Sequence, residues 1–308
     1  MNFNEEQVIS ELSLIFMQSN KENSRVIVGI GDDAAVVATG HHSVITTDMA
    51  IEDVHFKREW SSAFEIGSKI AVANLADIYA MGADPRYLVI ALTLTGNEEM
   101  GWIKELARGI AETAARSDAV VVGGDLSRAE KIMISITALG DSHQHITRSG
   151  AQIGDSIYLS GIPGWSRAGF EILTKNLPHA PAFARALSQF KSPELDPALM
   201  RSFKSAHALC DVSDSLLIQA AQISTASSVA IEIDTKKIEK SDGFSDLAAV
   251  ARALDCDVWD FVLGGGEDHV LLATGVDLPG ICVGRVVDGS DVQVLEMKKA
   301  PDSWRHFN

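Results

Sequence analysis

Six short stretches set a carboxylate beside glycine or at the end of an apolar run: GIGDDA (29–34), TTD (46–48), NLAD (74–77), GGD (123–125), DVSD (211–214) and GGGED (264–268). Any one of them has an ordinary explanation, because Gly and Asp are what turns and helix caps favour. Six together point to a shared acidic pocket. Two adjacent carboxylates, Asp32 and Asp33, repel each other where the apolar strand VGI ends, and they need a reason to be there. Converging carboxylates call for hard cations with oxygen ligands, Mg²⁺ or Ca²⁺. No EF-hand spacing is present. Mg²⁺ is typically held by a few carboxylates together with substrate phosphates, so an acidic pocket can take a polyanion once metal ions bridge the two.

The usual phosphate and hydrolase signatures are missing. There is no GxxxxGK[ST] and no HRD loop with DFG, and the GxG at 29–31 lacks the third glycine of a dinucleotide fingerprint. HExxH and GxSxG are absent as well. Arg148, in ITRSG, is either a phosphate contact or a surface arginine.

The elements that carry these residues are legible from periodicity. Residues 5–18 read as an amphipathic helix with Val8, Ile9, Leu12, Ile15 and Phe16 on one side. Strands follow near 26–30 and 43–48. Ser62 can cap a helix that runs to about Met81, stopped by Gly82 and Pro85. Within it Ile66, Ile70, Ala73 and Asp77 fall on one stripe, so Asp77 faces inward and needs a cation or donors. YLVIALTL (87–94) is a continuous apolar strand, 98–117 a helix, and AVVVGG and IMISITALG two more strands. The polar DSHQH marks a boundary near 142–147, giving domains 1–145 and 146–308. Beyond it come a strand in TRSGAQIGDSIYLSG, a helix at 164–175, proline-punctuated helical pieces to 208, a helix after 214 that Ser213 or Asp214 could cap, and strands near 229–233, 269–274 and 281–287. The class is α/β, or mixed α+β.

The bulk numbers narrow the surroundings. The chain has 308 residues, enough for two domains, and 46% of them are apolar. The net charge of −16, from 42 acidic and 26 basic residues, argues against nucleic acid and anionic membranes as partners. No apolar run approaches the roughly 18 residues of a membrane span. The acidic start MNFNEEQVIS lacks the form of a signal peptide. Three scattered cysteines, Cys210, Cys256 and Cys282, fit a reducing cytoplasm.

Taken in order, GIGDDAAVV, TTDMAIEDVHF, AVANLADIYAMGADPRYLVIALTL, GGD, TRSGAQIGDSIYLSG, DVSDS and GGGEDHVLL resemble the thiamine-monophosphate kinase family. That family lies in the ATP-binding superfamily of aminoimidazole ribonucleotide synthetase, selenophosphate synthetase and a hydrogenase maturation factor. The resemblance runs from about residue 26 to the C-terminal WRHF. It implies a two-domain aminoimidazole ribonucleotide synthetase-like fold, with N-terminal strands forming a dimer barrel and an α/β C-terminal domain that completes the nucleotide and substrate site. The implied activity is phosphorylation of thiamine monophosphate to thiamine diphosphate, with ATP as co-substrate and several Mg²⁺, by a cytoplasmic homodimer. By the same resemblance Asp33, Thr46, Thr47, Asp48, Asp77, Asp125, Asp211 and Asp214 match metal ligands. Gly124, Asp125, Arg148 and Ser213 match ATP contacts, and His55, Glu267 and Trp304 match substrate contacts.

The implied mechanism is in-line transfer to an acceptor that is already ionised. It needs no strong general base, and transition-state positioning falls to the metal site and Arg148. A second subunit would cover the apolar strands 87–94 and 132–140. Two departures stand out. Ser215 occupies a position where the family usually has glycine, a residue that can serve a conformation serine dislikes, and Ser127 stands where threonine is common. Two rivals are another enzyme of the superfamily and a regulator that has lost catalysis. TTDMAIEDVHF and SWRHF disfavour the first, and retention of every acidic stretch disfavours the second.

Overall fold

The computed structural model describes residues 5–20, 24–28, 30, 35–40, 42–178, 180–297 and 301. The chain divides into two compact units, Met1–Ile78 with Ala83–Gln144, and Tyr79–Gly82 with His145–Asn308. Among the described residues no helix is long and apolar enough to cross a membrane.

The first unit holds α1 (Glu5–Asn20), β1 (Val26–Val28), β2 (Val36–Val37), β3 (His42–Ile51), most of α2 (Ala63–Ala80), β4 (Asp84–Leu94), α3 (Met100–Arg116), β5 (Val120–Arg128) and β6 (Met133–Ser142). Strands β1 and β2 pair antiparallel by themselves. The other four form a sheet in the order β3-β6-β4-β5, antiparallel except for β4 with β5. Alternation sorts its faces. Ile134, Ile136 and Ala138 of β6 and Leu88, Ile90 and Leu92 of β4 are buried. On the other face Ile45, Met49 and Val89 are exposed. On that face Tyr87 is buried against Val26, Ala35 and Val37, whereas Val89 is left exposed among the described residues.

Helices α2 and α3 cross in backbone contact at two glycines. A Cβ on Gly67 would stand 2.1 Å from Leu106 O, and one on Gly109 would stand 2.1 Å from Phe64 O. Ser62 starts α2 through a capping box: Glu65 N–H donates to Ser62 Oγ at 3.3 Å, and Ser62 N–H donates to Glu65 Oε2 at 2.7 Å. Gly82, at φ +65°, turns the chain after the helix. In α1, Val8 and Phe16 are buried as the periodicity requires, whereas Ile9 is exposed.

Two strands run longer than their sequence reading. TTD and GGD do not end strands: Asp48 lies inside β3 and Asp125 inside β5. Met49–Ile51 continues the ladder with Met133–Ser135, and Leu126–Arg128 continues it with Leu92–Leu94. Pairing with a neighbour outweighs the local break that glycine and aspartate suggest.

The second unit contains β7 (Ser156–Leu159), α4 (Trp165–Thr174), a 3₁₀ turn (Pro181–Phe183), α5 (Ala184–Lys191), α6 (Pro197–Ser202), β8 (Ala208–Asp211), α7 (Leu216–Ser227), β9 (Ala230–Asp234), α8 (Thr235–Glu239), α9 (Phe244–Ala253), α10 (Val258–Val262), β10 (Leu271–Gly275), β11 (Ile281–Val287) and β12 (Val292–Leu295). Its six-stranded sheet has the order β12-β9-β11-β7-β10-β8, antiparallel except for β12 with β9. The core packs Ile157, Leu159, Leu216, Ile231, Leu247 and Val283 among others. Helices α8 to α10 and strand β12 have no counterpart in the sequence reading. The buried spacing in α9 of Phe244, Leu247, Val250 and Ala251 was available as a signal.

Candidate active-site residues

In the first unit the acidic residues are organised from one edge of the sheet. Asn74, buried on α2, accepts from Asp48 N–H through Oδ1 at 3.1 Å and donates from Nδ2 to Ile70 O at 2.9 Å. One turn further along, Asp77 Oδ2 accepts from Thr46 Oγ1 at 2.6 Å. The helix is thus fastened to β3, and Thr46, Asp48 and Asp77 share one face. Asp77 does face inward, and Thr46 is one of the donors its position requires.

Thr47 is different. It points to the other face, where its hydroxyl donates to Ile136 O at 3.0 Å and accepts from Thr137 Oγ1 at 3.3 Å. Period-two alternation separates its side chain from the two residues beside it. The set Thr46, Asp48 and Asp77 offers only carboxylate and hydroxyl oxygens, which is the chemistry Mg²⁺ takes. Among the described residues no three of His, Cys, Asp and Glu converge into a metal cage. That is compatible with an ion held partly by substrate phosphates.

His55 follows β3 in a turn. Its Nδ1 accepts from Ile51 N–H at 3.1 Å, which leaves the neutral ring protonated on Nε2. Gly124 and Asp125 are exposed on β5, opposite Ile90 and Ala91 of β4. They border a cavity of about 170 Å³ whose other walls include Leu12 and Phe16 of α1 and Ile103, Leu106 and Ile110 of α3. It is an apolar slot with a carboxylate beside it.

In the second unit Asp211 is buried where β8 ends, and its Oδ2 lies 3.2 Å from His269 Nδ1. Ser213 and Asp214 lie just beyond. Neither caps α7. Ser215 does, its Oγ accepting from Ile218 N–H at 3.2 Å. Ser215 has φ −172°, extended backbone that serine adopts freely, so its replacement of glycine carries no strain and supplies a good cap. Ser213 Oγ accepts from Gln219 Nε2 at 3.2 Å. Arg148 is exposed, and its main-chain oxygen accepts from Ser227 Oγ at 2.9 Å. Nearby, burial pushes the Cys210 thiol well above the ordinary cysteine range and makes it inert.

Glu267 sits at φ +62° and His269 at φ +54°, both in the left-handed region. Between them the buried Asp268 accepts from Gly164 N–H at 2.6 Å and Ser166 N–H at 3.0 Å, at the start of α4. Burial pushes its carboxyl up to about 6, while those two amides pull the other way. Asn74, Asp268 and His269 escaped the sequence reading as site residues. Asn74 could have been found, since it lies three residues before Asp77 on a neighbouring helical position. Asp33 and Trp304 lie outside the described residues.

Asp268 carries a pH signature. Its carboxyl is displaced upward from an ordinary 3.8, so the folded state binds a proton more tightly than the unfolded chain does. The resulting stability is present below about 4 and is lost as pH rises through about 6, a swing of about 3 kcal/mol. The melting temperature of the wild type minus that of Asp268→Asn should therefore be larger at pH 4.5 than at pH 7. A difference independent of pH would contradict the assignment.

Comparison with known proteins bears on the family and the fold. Residues 31–141 match the family model "AIR synthase related protein, N-terminal domain". The thiamine-monophosphate kinase of Mycobacterium tuberculosis (strain ATCC 25618 / H37Rv) is 33% identical over 291 residues, covering 92% of this chain and 86% of that protein. The crystal structure of thiamine-monophosphate kinase from Stenotrophomonas maltophilia K279a superposes with a TM-score of 0.83 at 29% identity, covering 94% of this chain and 97% of that one. A structure described as AaThiL complexed with AMPPCP and TMP superposes with a TM-score of 0.80 at 29% identity, covering 100% of both chains. By its similarity to these proteins over nearly its whole length, the chain belongs to the thiamine-monophosphate kinase family.

Proposed function

We propose that this chain transfers the terminal phosphoryl group of ATP directly to the phosphate of thiamine monophosphate, giving thiamine diphosphate and ADP. The observation that carries the reading is the Thr46–Asp48–Asp77 group, fastened by Asn74 and built only from oxygen donors. Bound Mg²⁺ would screen the charge of the phosphates and orient them for in-line attack.

The protein's own residues hold and position. Asp48 and Asp77, with Thr46, supply the fixed negative oxygens. We also assign Asp33, Asp125, Asp211 and Asp214 to metal ligation, and Thr47 through its main chain only. The apolar slot beside Gly124 and Asp125 suits a nucleotide base, which is flat and buries mostly ring surface. Arg148 and Ser213 meet the nucleotide's phosphates, Arg148 as a fixed charge on the transferring group. His55 offers Nε2–H and Glu267 a carboxylate to the acceptor, with Trp304 as an aromatic partner for its rings. No general base is required, because the attacking phosphate oxygen is already ionised. The reaction belongs to the cytoplasm, where ATP and reduced thiols coexist.

The test is product formation from ATP and thiamine monophosphate with and without Mg²⁺. Thiamine diphosphate and ADP should form in equal amounts with the metal and fall to background in excess chelator. Full turnover in chelator overturns the metal-bridged mechanism. Transfer to a different acceptor in place of thiamine monophosphate overturns the substrate assignment.

A homodimer is part of the same reading. Ile45, Met49 and Val89 form an exposed apolar face on a sheet whose other side is buried, and a second copy is the partner that would cover it. Light scattering at micromolar concentration should give twice the chain mass, and Ile45→Glu with Met49→Glu should give a monomer. A wild-type monomer would refute the dimer.

A further inference from the structure

We propose that His269 is a positioning residue for Asp211, holding that carboxylate in the orientation metal-bound nucleotide requires. The inference rests on the kinase reading above and adds a residue to it.

Three observations converge on His269. Its ring is nearly enclosed, with 7% of the side chain exposed, and the Asp211 side chain is 3% exposed. Nδ1 lies 3.2 Å from Asp211 Oδ2, an arrangement in which Nδ1–H donates to the carboxylate. A buried carboxylate without a donor is costly, so the contact decides where Asp211 points. Second, the main chain holds the pair in register. His269 N–H donates to Val212 O at 3.1 Å, Val212 N–H donates to Val270 O at 2.7 Å, and Glu267 N–H donates to Ser213 O at 2.6 Å. Gly266 lies so close that a Cβ there would meet Ser213 O and Asp214 O, each at 2.3 Å. Third, His269 keeps a left-handed φ of +54°, which a side chain accepts only where its surroundings impose it.

The turn 266–269 is therefore a clamp on the segment 211–214, and within it the His269 side chain meets a proposed metal ligand directly. Ligating carboxylates are commonly held by such outer hydrogen bonds, and their loss weakens metal affinity by about 10–100-fold. His269 occupies Oδ2, and Oδ1 is the oxygen we assign to the cation.

The experiment compares His269→Leu, which removes the donor, with His269→Asn, whose amide nitrogen can take the place of Nδ1 and which tolerates left-handed backbone. Calorimetry with Mg²⁺ and a non-hydrolysable ATP analogue reads binding without turnover, and kinetics read the Mg²⁺ requirement. His269→Leu should weaken metal-dependent binding of the analogue by about 10–100-fold and raise the Mg²⁺ needed for half-maximal rate by a similar factor. The KM for thiamine monophosphate should stay within about twofold, and His269→Asn should recover most of the loss. In an Asp211→Asn background, His269→Leu should add less than about threefold, because the two act through one carboxylate.

Effects that multiply in the double variant overturn the proposal, as does a change confined to the KM for thiamine monophosphate. Normal binding of the analogue by His269→Leu overturns it too, and melting curves on each variant separate misfolding from misorientation. If the wild type binds the analogue with Mg²⁺ yet makes no thiamine diphosphate, the kinase reading fails while the binding measurements still decide the role of His269.

Discussion

Asp48→Asn and Asp77→Asn should each slow thiamine diphosphate formation by about a thousandfold while leaving the fold intact. A bound cation contributes several kcal/mol to a phosphoryl-transfer transition state, and about 4 kcal/mol corresponds to that factor. The fold should survive for reasons visible in the hydrogen bonds. Asn74 binds the main-chain N–H of Asp48, not its carboxylate, and an asparagine at 77 still offers an oxygen to Thr46 Oγ1. Two neighbouring negative groups also repel in the metal-free protein, so neutralising one should leave the melting temperature unchanged or raised. Thr47→Val is the contrasting variant. Its hydroxyl is turned to the opposite face, bonded to Ile136 O, and the rate should stay within about threefold of wild type. Steady-state rates at saturating Mg²⁺, with melting curves alongside, decide the matter. Near-normal turnover in Asp48→Asn would remove that residue from the site, and a collapse in Thr47→Val equal to that of Asp48→Asn would overturn the facing of β3.

Gly124→Ala should be severe and Gly123→Ala mild, although the two are adjacent in GGD. A Cβ on Gly124 would stand 2.2 Å from the carbonyl oxygen of Ile90, in the paired strand β4. No rotamer relieves that contact, because both partners are backbone, so the strands must separate locally. The cost is about 1–3 kcal/mol of stability. It also displaces Asp125 by an appreciable fraction of an ångström, and a shift of about 1 Å at a positioning residue can cost a hundredfold in rate. A Cβ on Gly123 meets nothing within 4 Å. Expected values are therefore a melting point lower by several degrees and a rate down by about a hundredfold for Gly124→Ala. Gly123→Ala should remain close to wild type on both counts. Equal behaviour of the two variants would show that the close approach of β5 to β4 at Gly124 is not what that glycine serves.

Much of this was readable without coordinates, because it depends on local chemistry. The stripe Ile66–Ile70–Ala73–Asp77 has helical spacing, and that alone is enough to turn Asp77 inward. The Ser62–Glu65 box is a contact between residues three apart. A boundary near 142–147 is an expectation of the same local kind, because DSHQH is a polar, unpatterned stretch. The ordered set of acidic motifs was enough to point to the family.

What the sequence left open depends on residues far apart along the chain. Asp48 and Asp125 lie inside strands and not at their ends, because ladders with β6 and β4 extend beyond the glycines and aspartates that locally suggest a stop. Thr46 and Thr47 are chemically alike and adjacent. Only the side of β3 on which α2 packs makes one a neighbour of Asp77 and turns the other away. The cap of α7 fell to Ser215 and not Ser213, since the hydrogen bonds of Gln219 and Glu267 engage Ser213 elsewhere. His269 meets Asp211 across 58 positions, and nothing in the string GGGEDH distinguishes a histidine that steadies a distant carboxylate from one that merely fills a core. Residue types and short spacings determined which chemistry the protein carries. The pairing of strands, set by backbone hydrogen bonds and burial over long separations, decided which side chains face one another to perform it.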